Sequence, residues 1–204
     1  MEEETNNQDL GDGHAALLLG NMTRHISLDP SEKRYVLRTF KEMWTPKKQN
    51  ILEQGKLCRY FYFVESGSLR AFHTNARGKE ATMMFAVQDW WITDMAAFVD
   101  RKPALISLET LEDCLLFSID ATALEQLLQK IPKMERYFRI LFQRAYIREQ
   151  LRVLNAISYS VEERYIHFLE KYPQIVEKVS QKQLASYLGV TPEFLSTVKK
   201  NSAS

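Results

Sequence analysis

Six side chains near the end of the chain have chemistry suited to nucleic acid. Thr191, Glu193, Ser196, Thr197, Lys199 and Lys200 stand close together. A carboxylate can accept from the amino group of cytosine, hydroxyls reach base edges or phosphates, and ammonium groups neutralise phosphates. The plainer alternative for the two lysines is compensation for the negative end of a helix dipole. A second set, Trp90, Trp91, Thr93, Asp94, Met95, Arg101 and Lys102, could line a small-molecule pocket with a bulky, partly apolar mouth. Both tryptophans serve equally well as core. No nucleophile–base pair, paired carboxylates or phosphate-cradling glycine loop occurs, so no catalytic residue is assigned and the chain is expected not to be an enzyme. Cys58 and Cys114 form no ligand cluster, and His14, His25, His73 and His167 sit in unrelated contexts. The expectation is therefore no metal and no cofactor. The two cysteines are read as buried free thiols, with a disulfide between them left open.

The elements that must present these residues are legible around them. Ser180 and Gln183 make a capping box, and Leu184, Ala185 and Leu188 supply a buried face. Gly189 stops that helix through a positive φ. Thr191 caps a second helix, with Pro192 in its first position and Glu193 favoured at its positive end. Leu195 and Val198 face back on the first helix. Two short helices crossing over a glycine turn read as a helix-turn-helix, which implies double-stranded DNA as a partner. The plainer alternative is any pair of short helices.

Upstream, a first helix is expected over Ala15 to Arg24. A second starts at Asp29-Pro30-Ser31-Glu32. From about Trp44 short apolar stretches alternate with turns: Asn50 to Leu52, Tyr60 to Glu65, Ser68 to Thr74, Glu80 to Val87, Ala104 to Leu108 and Cys114 to Ile119. That rhythm predicts a sandwich or small barrel. Helical texture returns at Asp120 and breaks at Ile131-Pro132. A long helix follows, roughly Lys133 to Ser158, with two apolar stripes. Met134, Phe138, Leu141 and Ala145 can cover the β domain. Tyr137, Ile140, Ile147, Leu151 and Leu154 can meet the same helix of a second copy, which predicts a homodimer. Ser160 and Glu163 cap another helix through Lys171.

Composition sets the outer bounds. The chain has 204 residues, 45% hydrophobic and 26% charged, with a net charge of +1. It is not a polycation, but residues 133–156 carry six cations against two anions, which permits phosphate contacts. No apolar run reaches the roughly 20 residues that span a bilayer. The acidic start, Glu2 to Glu4, is unlike a secretory signal, and residues 1–13 are expected to fray. No membrane association and a cytoplasmic location are the expectations. The organisation expected is a β domain with N-terminal helices over 1–132, a long helix over 133–158 and a DNA-binding unit over 159–204.

This order resembles the Crp/Fnr family of bacterial transcription regulators. The matching residues are Thr45-Pro46, Gln54-Gly55, Tyr60 to Val64, Gly67, Leu69-Arg70, Gly78-Lys79-Glu80 and Asp89-Trp90-Trp91, then the helix-turn-helix. The resemblance implies an α+β fold: an N-terminal double-stranded β-helix or jelly roll of the cyclic-nucleotide-binding type, a long dimerisation helix, and a C-terminal helix-turn-helix domain. It also implies an effector bound in the β-roll, recognition helices in successive major grooves, and RNA polymerase as a further partner. The chain departs from the family in three places. Thr93-Asp94-Met95 stands where nucleotide-binding members carry a glycine–glutamate pair, and Arg101, Lys102 and Pro103 stand near the family's phosphate-binding arginine. Cyclic AMP is therefore not expected, and the effector is unknown. Only Asn201 to Ser204 follow the last helix, so a full wing is expected to be absent. Pro192 and Thr197 occupy positions where the family often places base-reading arginines. These departures leave a second reading open, a ligand-binding or scaffolding β-roll protein whose helix-turn-helix is degenerate. A cupin-like enzyme would need clustered histidines, and among the expected strands only His73 occurs.

Overall fold

Helix starts in this chain follow local capping chemistry. Asp29, Ser160 and Ser180 each accept from a backbone amide three residues on. Glu32, Glu163 and Gln183 each reach back to the cap amide. Such caps contribute about 1 kcal/mol each. They begin α2 (Pro30–Thr39), α6 (Val161–Lys171) and α7 (Gln181–Leu188), after α1 (Ala16–Thr23). The computed structural model describes residues 14–202. The acidic start expected to fray, and residues 203–204 of the segment in which the wing was sought, lie outside the described residues.

Between α2 and α6 the chain forms β1 (Lys41–Thr45), β2 (Asn50–Leu52), β3 (Tyr60–Ser66), β4 (Ser68–Thr74), β5 (Glu80–Val87) and β6 (Trp91–Ile92). Then come α3 (Met95–Asp100), β7 (Ser107–Thr110), β8 (Cys114–Asp120), α4 (Ala121–Lys130) and α5 (Lys133–Ser158). The strands make two four-stranded antiparallel sheets, ordered β1-β8-β3-β6 and β2-β7-β4-β5. The spacing of the turns predicted a sandwich or small barrel, and this is the jelly-roll form that the family resemblance implied, with the expected long helix and C-terminal helices. The β3–β4 turn needs glycine. Gly67 has φ +93°, and a Cβ there would stand 2.5 Å from Cys114 Sγ and 2.8 Å from the Asp113 carbonyl oxygen.

Three local expectations are corrected. The strand sought at Ala104 to Leu108 lies at Ser107–Thr110, because its first residues are held elsewhere. Ala104 exchanges backbone hydrogen bonds with Lys56 and Gly55 (2.7 Å each), and the Leu105 amide donates to Asp94 at 2.6 Å. β1 begins earlier than the change of pattern at Trp44, since Lys41 to Thr45 pair in register with Ser118 to Cys114. The short helix α3 has no apolar period of its own to announce it, and its N-cap is Asp94.

Two apolar cores form. The larger fills the roll between the sheets and takes in α1, α2, α4 and the first turns of α5 through Met134, Tyr137 and Phe138. The smaller joins the C-terminal helices to the outer face of the second sheet. Phe85, Val87 and Leu111 pack there with Phe168, Tyr172, Ile175, Leu184, Leu188 and Leu195. α7 lies along β5, and the Ser186 hydroxyl accepts from the Thr82 amide (2.8 Å) and donates to the Glu80 carbonyl (2.9 Å). Lys178 Nζ reaches both oxygens of Glu112, at 2.7 and 2.6 Å.

Candidate functional site

A cavity of about 670 Å³ opens between the roll and α5. Five of the seven residues singled out for an effector pocket line it: Trp90, Trp91, Thr93, Asp94 and Met95. They do so because β6 and the start of α3 run along its floor. Arg101 and Lys102 are not in the lining. Arg101 ends α3 with φ +55°, and Lys102 pairs with Asp100 at 2.9 Å on the surface. The opposite wall is α5, through Tyr137, Leu141, Phe142, Arg144, Ala145 and Arg148. Met83 and Met84 close one side. Met83 is the extra residue of a bulge, since Thr82 pairs with Phe72 and Met84 with Ala71.

The polar groups of this cavity are mostly committed to the fold. Asp94 is buried, and one carboxylate oxygen accepts from the Ala97 amide at 3.1 Å while the other accepts from Leu105. Thr93 donates to the Tyr60 carbonyl at 2.8 Å. Trp91 is core: its indole N–H donates to the Tyr137 hydroxyl (2.8 Å), which donates to Asn21 (2.5 Å). Burial pushes the Tyr137 phenol well above its ordinary range. Trp90 is half-buried and carries the Arg148 guanidinium over its ring, 4.4 Å from the centroid. Cys58 and Cys114 are free, buried thiols, and burial drives Cys114 up to about 11. Among the described residues no cluster of His, Cys, Asp or Glu is placed to hold a metal.

The C-terminal pair α7 and α8 (Pro192–Ser202) meets across Gly189, which has φ +73°. Leu184, Ala185, Leu188, Leu195 and Val198 are all buried between or beneath them. The six candidate DNA residues separate here. Thr191 caps α8, its hydroxyl accepting from the Phe194 amide at 3.2 Å. Ser196 is half-buried, donating to the Pro192 carbonyl (3.0 Å) and accepting from the Gln181 side-chain amide. Lys199 lies over the Tyr165 ring at 5.9 Å. Glu193, Thr197 and Lys200 are on the exposed face. Phe194, 47% exposed, shares that stretch and was not singled out from sequence. An exposed aromatic beside the first turn of α8 was the signal, and it reads from sequence like any core phenylalanine.

α5 also separates. Met134 and Phe138 are buried and Leu141 and Ala145 half-buried, as expected for the stripe that covers the roll. Tyr137 belongs with them. It is fully buried inside the protomer, so it is not available to a second copy. Ile140 is half-buried. Ile147, Leu151 and Leu154 are each more than half exposed, and Tyr146, Val153 and Ile157 extend the open apolar surface.

The architecture is thus a roll closed by a long helix and followed by a helix-turn-helix. Residues 42–131 match the family model of the cyclic nucleotide-binding domain. No curated protein sequence matches the chain. Among solved structures, the c-di-GMP-responsive global regulator CLP of Xanthomonas campestris is similar at 19% identity and a TM-score of 0.69, over 85% of this chain and 91% of that one. FixK2 of Bradyrhizobium japonicum is similar at 16% identity and a TM-score of 0.68, over 79% and 83%. A Eubacterium rectale protein described as a Crp/Fnr-family transcriptional regulator gives 18% and 0.68, over 85% and 83%. The chain thus carries a cyclic-nucleotide-binding-type domain and has the fold of the Crp/Fnr regulators.

Proposed function

We propose that the protein is a DNA-binding transcription regulator of the Crp/Fnr type that acts as a homodimer. One observation carries this reading. α8 buries Leu195 and Val198 against α7 and leaves Glu193, Phe194, Thr197 and Lys200 facing out. A helix so mounted can enter a major groove. In that groove Glu193 would accept from a cytosine amino group, Phe194 and Thr197 would touch base edges or a thymine methyl, and Lys199 and Lys200 would hold phosphates. Ser196 and Thr191 would act by holding α8 on α7 and by capping it. The open stripe of Ile147, Leu151 and Leu154 would join two copies, placing two recognition helices against half-sites about one helical turn apart. RNA polymerase would be the partner of the bound dimer, in the cytoplasm. No helix among the described residues is long and apolar enough to cross a membrane.

The effector of this reading occupies the 670 Å³ cavity and is bulky and largely apolar. Cyclic AMP is a poor fit. The Asp94 carboxylate already takes the Ala97 amide at the start of α3, the place where a phosphate would seek donors, and a second anion there would be repelled. The chemistry is binding and presentation, with no catalytic step. A second reading, a ligand-binding or scaffolding protein with a degenerate helix-turn-helix, draws support from Ser196, whose hydroxyl is engaged with Pro192 and Gln181 within the C-terminal helices.

Selection of bound duplexes from a random pool, with and without cell-extract metabolites, tests the proposal. The expected result is a site with two-fold symmetry. Glu193→Ala then relaxes one position per half-site by about 1–3 kcal/mol. Lys200→Ala weakens all sequences alike and flattens the salt dependence by about one unit per lost contact. Failure to select any site sinks the regulator reading and favours the second.

A further inference from the structure

A second cleft, of about 450 Å³, lies between the C-terminal half of α5, α6 and α7. Its charge is one-sided. Arg144, Arg148, Arg152, Arg164 and Lys171 line it, and no carboxylate does. Glu149 is the acid close by, and it is engaged with Arg152 at 2.8 Å. Two guanidinium nitrogens are buried here without a hydrogen-bond partner, Nε of Arg148 and Nε of Arg164. Buried N–H groups of this kind are normally satisfied, and a guanidinium aims several donors at once. Lys171 is affected by the same crowding. Loss of hydration and then the Arg148 charge lower its pKa, with Arg152 adding to the effect and Glu149 opposing it. The remaining wall is apolar and aromatic: Phe168, Tyr187 and Leu188, together with Ile147 and Leu151, which the proposed dimer seam shares.

We propose that this cleft is a binding site for a small organic dianion, a phosphate monoester carrying a planar ring. The arginine forks would take the phosphate oxygens in pairs, and Lys171 would add a point charge. The ring would lie against the Phe168 and Tyr187 side, where a planar apolar group replaces water. A phosphate diester has one charge fewer and is the weaker match. The cleft adjoins the roll cavity and shares Arg144 and Arg148 with it, while Arg152, Arg164 and Lys171 line this cleft alone. Its occupancy bears directly on the C-terminal unit. Arg164 Nη1 donates to the Leu188 carbonyl at 3.0 Å, at the last turn of α7, so a ligand on Arg164 would act on one of the contacts of the helix-turn-helix.

The proposal is tested by calorimetry on the full chain, with AMP as the monoester, cyclic AMP as the diester and adenosine as the uncharged ring. AMP is expected to give saturable binding at one per chain, with a dissociation constant below about 1 mM. Cyclic AMP and adenosine are expected to bind at least tenfold more weakly. Lys171→Gln and Arg152→Gln should each weaken AMP at least tenfold, while Lys130→Gln, which removes an exposed cation on α4, should change nothing. Arg164→Gln should do the same as Lys171→Gln. If its loss of the Leu188 contact disturbs folding, the other two variants still decide. No AMP binding at millimolar concentration, AMP binding unchanged in Lys171→Gln and Arg152→Gln, or equal binding of AMP and adenosine would each overturn the assignment. None of these readouts depends on DNA.

Discussion

Asp94 shows how a residue suited to a ligand can be taken up by the fold. Its side chain is buried, and both carboxylate oxygens accept backbone amides, from Ala97 and Leu105. It therefore caps α3 and ties down the segment ahead of β7. Replacing it with alanine leaves two amides unsatisfied at the floor of the cavity. We expect Asp94→Ala to cost about 1–3 kcal/mol, read as a lower thermal midpoint. If Asp94 were instead an effector ligand, the variant would melt normally and lose only binding. The same geometry predicts no saturable heat with cyclic AMP up to about 100 µM, a limit near 5.5 kcal/mol of binding free energy. Arg148 is the opposite case. Its charge was visible in the sequence as part of a basic run. Its place over Trp90, between two cavities, was not, since stacking depends on where α5 crosses the roll.

At the scale of elements, α5 decides between a monomer and a dimer. Its first turns are buried in the roll, while Ile147, Leu151 and Leu154, and Ile157 at 79% exposure, are open over the second half. Burying one leucine stabilises by about 1.5–3 kcal/mol, so several such residues facing a symmetric copy supply a sizeable apolar seam. Leu151→Asp should split the dimer and leave the roll folded, seen as a halved mass in sedimentation with unchanged far-UV dichroism. A wild-type chain that sediments as a monomer at micromolar concentration would refute the seam. Tyr137 lies outside this prediction. Its spacing placed it on the open stripe, but its hydroxyl pairs with Trp91 and Asn21 inside the protomer.

In the molecule as a whole, the second sheet of the roll and the helix-turn-helix share a core. β5 contributes Met83 and Met84 to the roll cavity and Phe85 to the cluster around Phe168, Tyr172 and Tyr187. α7 packs on β5, so a shift of β5 at the cavity would reach α7, and under the proposed function this is the route by which an effector would reposition α8. Lys178 and Glu112 fasten the same junction. Partial burial raises the Glu112 pKa, but the hydrogen bonds from Lys178 and Ser68 outweigh it and hold the carboxyl below its ordinary value. A carboxyl with a lowered folded pKa contributes stability above its unfolded pKa and loses it as pH falls through the folded one. The pair is part-exposed, so its worth is at most about 1 kcal/mol. Glu112→Gln should thus lower the melting midpoint slightly at pH 7. The difference from wild type should shrink as pH falls below about 4.3, the ordinary glutamate value. A difference that stays constant down to pH 3 would show that the ion pair contributes nothing.

Local chemistry in the chain determined the elements. The capping boxes at Asp29, Ser160 and Ser180, the turn at Gly67 and the stop at Gly189 depend on neighbours within a few residues, so reading along the chain was enough to find them. The order of short strands, long helix and helix-turn-helix was legible for the same reason; it led to a sandwich or small barrel, and the family resemblance carried by that order narrowed this to the jelly roll. Other features depended on residues far apart in sequence. The strand expected from Ala104 moved to Ser107 because Asp94 and Lys56 hold the preceding residues. Arg101 and Lys102 left the cavity because α3, a six-residue helix without an apolar period, turns them to the surface. Tyr137 went inward and Ser196 turned to Gln181 through partners that no spacing rule names. The cationic cleft belongs to this second group. Its arginines and lysine come from α5 and α6, and only the packing of α6 and α7 beside α5 brings five like charges around one cavity.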